Sequence, residues 1–311
     1  MPVLISAAIC TYNRSDLLAG ALQSLCEQSL PPQDYEILVV DNASTDDTRA
    51  VVSRCKASYP VHEIRYLYET KQGLGYARNT AFQEARGAYV AYIDDDARAS
   101  ESWLKLALWT LAWAEGLICV GGPCRPFFTT DKPGWFRDEY EIRSKGEEMR
   151  FLEPGESFSG SNMIWDVDAL RAVGGFAVNI GVSGETLSVG EETYPFRAIW
   201  KQCQDKIFLY NPDLIVYHWA PPHKMRVSYY LKRSFADGQA EFKLLSKDGL
   251  PWRALRVLRG LGYIVFHGIG ALWSIPRYPF WQNWAVEEGH DIVSKLGLVC
   301  AALGIRINFK R

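Results

Sequence analysis

The seven cysteines of this 311-residue chain include no Cys-x-x-Cys pair. Cys119 and Cys124 are too loosely arranged for a metal site. An odd count, with Cys10 inside an apolar run, reads as reduced core thiols of a cytoplasmic protein. No apolar run reaches the roughly 20 residues of a spanning helix. No repeat or low-complexity tract occurs, and no motif points to nucleic acid. The N-terminus enters a strand-like run at once, so no signal peptide is expected. Hydrophobic residues at 48% and charged residues at 23% are globular values. The length suits one enlarged domain or a domain with an appendage.

What is present begins with Tyr-Ile-Asp-Asp-Asp at 92–96, which ends an apolar segment starting near Ala88. Three adjacent carboxylates repel one another, and burying them unpaired is costly. A divalent cation between them removes the conflict and can bridge to phosphates. The plain alternative is a solvated acidic turn. The flanking pattern argues for the metal. Val3–Cys10 reads as a buried strand, followed by the turn Thr11-Tyr12-Asn13-Arg14. Ser15 is expected to cap a helix carrying Leu18, Leu22 and Leu25. A second strand, Glu36–Val40, ends in Asp41-Asn42-Ala43-Ser44, and Asp46 and Asp47 suit the start of a helix running to about Ser58. Ile64, Tyr66 and Tyr68 alternate as a third strand. Gly73-Leu74-Gly75 precedes a further helix, and strand four leads into the Asp triplet. This βαβα order predicts an α/β fold with a mostly parallel, doubly wound sheet. The polar strand ends then gather on one edge, where open α/β sheets bind ligands.

With these residues in view, the chain resembles the family 2 glycosyltransferases, inverting enzymes of the GT-A type fold that use nucleotide-diphospho-sugars. The resemblance rests on Cys-Thr-Tyr-Asn-Arg at 10–14, Val-Asp-Asn-Ala-Ser-Thr-Asp at 40–46, Gly-Leu-Gly-Tyr-Ala-Arg-Asn at 73–79 and Asp94-Asp95-Asp96. Ser-Gly-Ser-Asn-Met at 159–163, Gly-Gly-Phe at 174–176 and Gly-Glu-Glu at 190–192 follow in the family's order. It covers about residues 3–235. Any one of these motifs is weak, and the ordered set of seven is specific.

The resemblance implies a Mg²⁺ or Mn²⁺ ion held by Asp96, with Asp94 on metal-bound water or ribose and His218 completing the set. A lone histidine is more often structural, and His218 or His223 could instead meet the diphosphate. Thr11, Asn13, Arg14, Asp41, Asn42, Gly73, Arg78, Asp94, Asp95 and Gly160 are the expected nucleotide-sugar contacts. Asp41 could accept from a pyrimidine imide N–H, which would favour a UDP- or dTDP-sugar, although a guanine could also donate to it. Asp95 could also face away and be structural. Lys71 and Arg78 suit phosphate or loop anchoring, and Gly73 and Gly75 would let backbone approach the nucleoside. Glu192 holds the place of the family's general base, usually Asp. The extra methylene shifts the carboxylate by about a bond length, so Glu191 is the alternative. Without the resemblance, both glutamates read as helix N-terminal charges.

Domains are expected at 1–235, catalytic, and 236–311, helical. The Pro- and aromatic-rich segment Gly121–Phe158 either contacts the acceptor or packs into the core, and Gly181–Gly190 could close over the donor. From Pro221 onward 14 Lys/Arg face 6 Asp/Glu, a balance of +8 that leaves −10 on the first 220 residues. The uncharged stretch Leu261–Ile275 follows Arg253, Arg256 and Arg259. It reads as a helix lying on a membrane surface, or as a packing or oligomer element. The combined expectation is a metal-dependent hexosyltransferase acting on a glycan or lipid-linked polysaccharide precursor. It would be cytoplasmic or peripheral on the inner face of the plasma membrane. Two alternatives stand beside it. A sugar nucleotidyltransferase would need a Gly-rich, basic phosphate loop after strand one, which Thr11–Arg14 is not. An inactive glycan- or membrane-binding scaffold would not need the Asp triplet and Glu pair.

Overall fold

The computed structural model describes residues 3–178, 192–202, 207–245, 250–305, 307 and 309. The chain opens with β1 (Ile5–Thr11), α1 (Ser15–Cys26), β2 (Tyr35–Asp41), α2 (Thr48–Ser58), β3 (Ile64–Tyr68), α3 (Leu74–Glu84) and β4 (Tyr89–Asp94). β2 is buried along its whole length and β1 nearly so. Burial on both faces is what a parallel sheet covered by helices requires, and these strands are near-continuous apolar runs. After β4 come β5 (Ala97–Ala99), α4 (Trp103–Ala112), β6 (Cys119–Gly121), β7 (Cys124–Phe127), β8 (Arg150–Phe151), β9 (Met163–Asp166) and α5 (Val167–Ala172). Then α6 (Thr193–Trp200), β10 (Phe208–Tyr210) and β11 (Val216–Trp219) complete this part.

The main sheet has the order β3-β2-β1-β4-β9-β6-β10-β8. Pairings are parallel from β3 through β4, and β9 runs antiparallel to both of its neighbours. The fold is thus α/β with a mostly parallel sheet, as expected. A second sheet, β5-β11-β7, stands apart from it. One expected cap is not found. Arg14, not Ser15, is the α1 N-cap residue, and it makes no side-chain capping bond. The Ser15 N–H donates instead to Asp46 Oδ2 at 2.9 Å.

The chain forms two compact units. Among the described residues, the first holds 3–127, 141–178, 192–202 and 207–219, and the second holds 128–140, 220–245, 250–305, 307 and 309. The division lies at 219/220, whereas position 235 falls inside α7 (Val227–Leu245). The rest of the second unit is α8 (Leu250–Ser274), α9 (Trp281–Glu287) and α10 (Gly289–Ala302). α7 and α10 pack closely: a Cβ on Gly297 would run into the Phe235 carbonyl, and one on Gly238 into that of Ser294. Trp135 and Phe136 are buried in this unit with Met225, Tyr230 and Val286. The Trp135 carbonyl accepts from Asn283 Nδ2 at 2.6 Å. These two aromatics therefore pack in a core and are not displayed to an acceptor. The helical stretch Pro251–Arg277 is long and apolar enough, by length and composition alone, to cross a membrane.

Candidate active site

The carboxyl ends of β1, β2 and β4 meet because their ladders are in register. Cys10 lies opposite Asp94, and Thr11 opposite Asp41. Beyond Asp94 the chain turns into β5, which pairs antiparallel with β11 and sets His218 opposite Ala97. The Trp219 N–H donates to the Asp96 carbonyl at 2.9 Å. The small sheet thus delivers a histidine onto the Asp-x-Asp turn.

His218 is buried, and its Nδ1 bonds the Trp219 carbonyl at 3.1 Å. With the proton on Nδ1 donated to that carbonyl, Nε2 is left facing Asp96 Oδ1 at 3.2 Å and Asp94 Oδ2 at 3.5 Å. A nitrogen lone pair facing two carboxylate oxygens is repulsive unless a proton or cation lies between them. One ligand atom from each of Asp94, Asp96 and His218 falls within 4.8 Å of the others. Two carboxylates and an imidazole are a donor set that fits Mn²⁺ or Mg²⁺, and the triad could hold either.

Arginines surround this triad. Arg14 Nη1 reaches Asp95 Oδ1 at 2.7 Å and Asp96 Oδ2 at 3.0 Å. Arg78 Nη2 lies 3.7 Å from Asp94 Oδ1. Burial opposes ionisation of Asp94, yet a His218 that also carries a proton on Nε2, together with the Arg78 charge, outweighs it and holds the carboxyl below its usual range. Burial pushes the neighbouring Asp95 up to about 6 against the Arg14 charge, with Asp96 adding to the rise. Asp95 also accepts from Thr11 Oγ1 at 2.8 Å, so it faces inward and ties β1 to the turn.

Ser159-Gly160-Ser161 organises one side of the site. Ser159 Oγ accepts from Arg143 Nη1 at 3.0 Å, and Ser161 Oγ accepts from the Asp94 N–H at 3.3 Å. A Cβ on Gly160 would collide with the Arg78 guanidinium, so only glycine leaves Arg78 its place. Arg143 is held by a two-way backbone bridge to Cys124, 2.9 Å in each direction. Burial works against its cation, but the neighbouring charges of Glu141, Asp94 and Glu192, among others, raise its pKa.

The architecture and the sequence comparisons agree. Residues 6–174 match the model of glycosyl transferase family 2. That match spans more than half of the chain.

The chain belongs to glycosyltransferase family 2.

The succinoglycan biosynthesis protein ExoM of Rhizobium meliloti is 28% identical over 250 residues, 78% of this chain and 75% of that protein. A glucosyl-dolichyl phosphate glucuronosyltransferase of Haloferax volcanii is 25% identical over 247 residues, 76% of each. Among solved structures, the mannosyltransferase PcManGT of Pyrobaculum calidifontis, in complex with GDP-Man and Mn²⁺, superposes with a TM-score of 0.64. It covers 96% of this chain and 89% of its own at 19% identity, which establishes a common GT-A type fold.

In this family 2 glycosyltransferase, most of the residues expected to touch nucleotide bind one another. Asn13, at φ 52°, accepts from the Thr45 N–H at 2.7 Å, while its own N–H donates to Ser44 Oγ at 2.9 Å. Asp41 is only 2% exposed and accepts from Tyr66 Oη at 2.6 Å and the Ser44 N–H at 2.8 Å. Asn42 accepts from the Gly73 N–H and donates to the Lys71 carbonyl, both at 2.7 Å. A Cβ on Gly75 would strike the Ala177 carbonyl, so the glycine admits that close approach of the chain. Asn79 Nδ2 donates to the Phe176 carbonyl at 2.9 Å and Asn79 Oδ1 accepts from the Phe176 N–H at 2.8 Å, joining the third motif to Gly-Gly-Phe. Glu192 is the N-cap residue of α6 and makes no side-chain cap bond. Glu191 and the glycine-bounded segment 181–190 lie outside the described residues. His223 belongs to the second unit. Arg143 belongs to no sequence motif and reaches the site through its non-local bridge to Cys124.

Proposed function

We propose that this protein transfers a sugar, with inversion, from a nucleotide-diphospho-sugar to a hydroxyl of a glycan or lipid-linked polysaccharide precursor. The convergence of Asp94, Asp96 and His218 within one ligand-sized space carries this reading. Asp96 and His218 would hold Mn²⁺ or Mg²⁺ directly, with Asp94 on the same ion or its water. A divalent cation there supplies positive charge against the diphosphate as it departs. Arg143 and Arg78 flank Asp94 and add fixed positive charge beside that place, in a setting where water competes less.

An alcohol is a weak nucleophile at neutral pH. Glu192 would take the acceptor hydroxyl proton as the oxygen bonds to the anomeric carbon. The anomeric C–O bond breaks at the same time, and its electron pair leaves with the nucleoside diphosphate. Arg143 lies close enough to Glu192 for the two charges to interact, which puts a cation beside the proposed base. The Asp41 carboxylate has lone pairs beyond its two recorded bonds, and a base imide N–H of uridine or thymidine could use them. A lipid-linked acceptor finds support in the Haloferax relative, named for transfer involving glucosyl-dolichyl phosphate.

The experiment is incubation with a panel of UDP-, dTDP- and GDP-sugars of α configuration, a mixed lipid-linked and free glycan acceptor pool, and Mn²⁺. The product is read by its anomeric proton coupling. Transfer from a UDP- or dTDP-sugar with a β-configured product is expected. A retained α configuration contradicts single displacement, and transfer from GDP-sugars alone contradicts the uridine or thymidine donor.

A further inference from the structure

Helix α8 has two unlike faces. On one, Gly260 sits against Val299 of α10, Tyr263 Oη reaches Asp291 at 3.2 Å, and the Ala271 carbonyl accepts from Trp284 Nε1 at 2.8 Å. On the other, Leu258, Val265, Phe266, Ile269, Leu272 and Trp273 are each 57–81% exposed. Their three- and four-residue spacing makes one stripe along the helix. Scattered exposed apolar residues are ordinary, but a contiguous stripe of this size marks an interaction surface.

The charge around the stripe indicates what covers it. Between Leu250 and Val286 the chain has Arg253, Arg256, Arg259 and Arg277 but no Asp or Glu. Arg253 and Arg259 are exposed near one end of the stripe and Arg277 lies past the other. A second copy docking through this face would bring unneutralised arginines together. An anionic surface would neutralise them.

We propose that this face of α8 lies in the plane of an anionic lipid bilayer, with its apolar side chains at the headgroup–acyl boundary and its arginines on lipid phosphates. An in-plane position fits better than a span. Pro251–Arg277 is long enough to cross, but its uncharged part between Arg259 and Arg277 is only 17 residues, about 26 Å as a helix, short of the roughly 30 Å hydrocarbon core. A span would also strip α8 from α10 and carry Tyr263 away from Asp291. Nothing in this proposal depends on the sugar donor or on catalysis.

The test is flotation of the full-length protein with vesicles of phosphatidylcholine alone, or mixed with phosphatidylglycerol, at low and high salt. The protein should float with the anionic vesicles and be partly released by salt. Phe266→Ser with Trp273→Ser should lower the bound-to-free ratio by at least about tenfold with an unchanged unfolding temperature. Arg253→Gln with Arg259→Gln should lose the preference for phosphatidylglycerol. The proposal is overturned by absent flotation or by apolar variants that float like the parent. It is equally overturned if the parent is a dimer that those variants convert to monomer, since a second copy would then occupy the face.

Discussion

Asp96→Asn is expected to slow sugar transfer by at least about 100-fold and to weaken Mn²⁺ and nucleoside diphosphate binding together. A bound cation contributes several kcal/mol of charge stabilisation to a departing phosphate, and each 1.36 kcal/mol is about tenfold in rate. The substitution removes the charge of the ligand nearest His218 while keeping its shape. Arg14 retains its 2.7 Å partner Asp95, so the turn should hold and the unfolding temperature should change little. Isothermal titration with nucleoside diphosphate, with and without Mn²⁺, checks the prediction. Unchanged affinity in both conditions would remove Asp96 from the metal site.

Glu192→Gln is expected to keep donor binding and lose transfer by about 10²–10⁴-fold, the usual weight of a general base. Gln preserves length and hydrogen bonding but cannot take a proton. Glu192 makes no cap bond to α6, so the helix loses no side-chain cap. The readout is kcat against donor affinity. A fall in kcat at constant donor affinity supports the base, whereas an active Glu192→Gln beside an inactive Glu191→Gln transfers the role to Glu191.

The strands β1, β2 and β4 that carry the site were legible because each is an apolar run ending in polar residues, and parallel register then fixes where those residues meet. The Asp triplet was legible for the same reason. His218 could be suspected from its place after a strand-like run, but only the β5–β11 ladder shows it reaching Asp96. The motif residues Asn13, Asp41, Asn42 and Asn79 were harder to read. Short polar side chains at strand ends serve equally well as ligand contacts or as braces between loops, and composition does not separate the two. Here their recorded bonds are braces. The reversed strand β9 gave no local sign of its direction, since Met-Ile-Trp-Asp is apolar like its parallel neighbours. Periodicity exposed the apolar character of α8 but not which side α10 covers, because that depends on tertiary packing.

Asp94, Asp96 and His218 are proposed to form a cation-dependent site for a nucleoside diphosphate. This proposal is tested most directly by thermal unfolding of the unmodified protein with UDP, dTDP or GDP, in Mn²⁺ or in EDTA. A cognate nucleotide at about 100 times its dissociation constant adds about 2.7 kcal/mol of stability. This gain is expected with UDP or dTDP in Mn²⁺ and should vanish in EDTA. An equal gain in EDTA, or none with any of the three nucleotides, would contradict the proposed site.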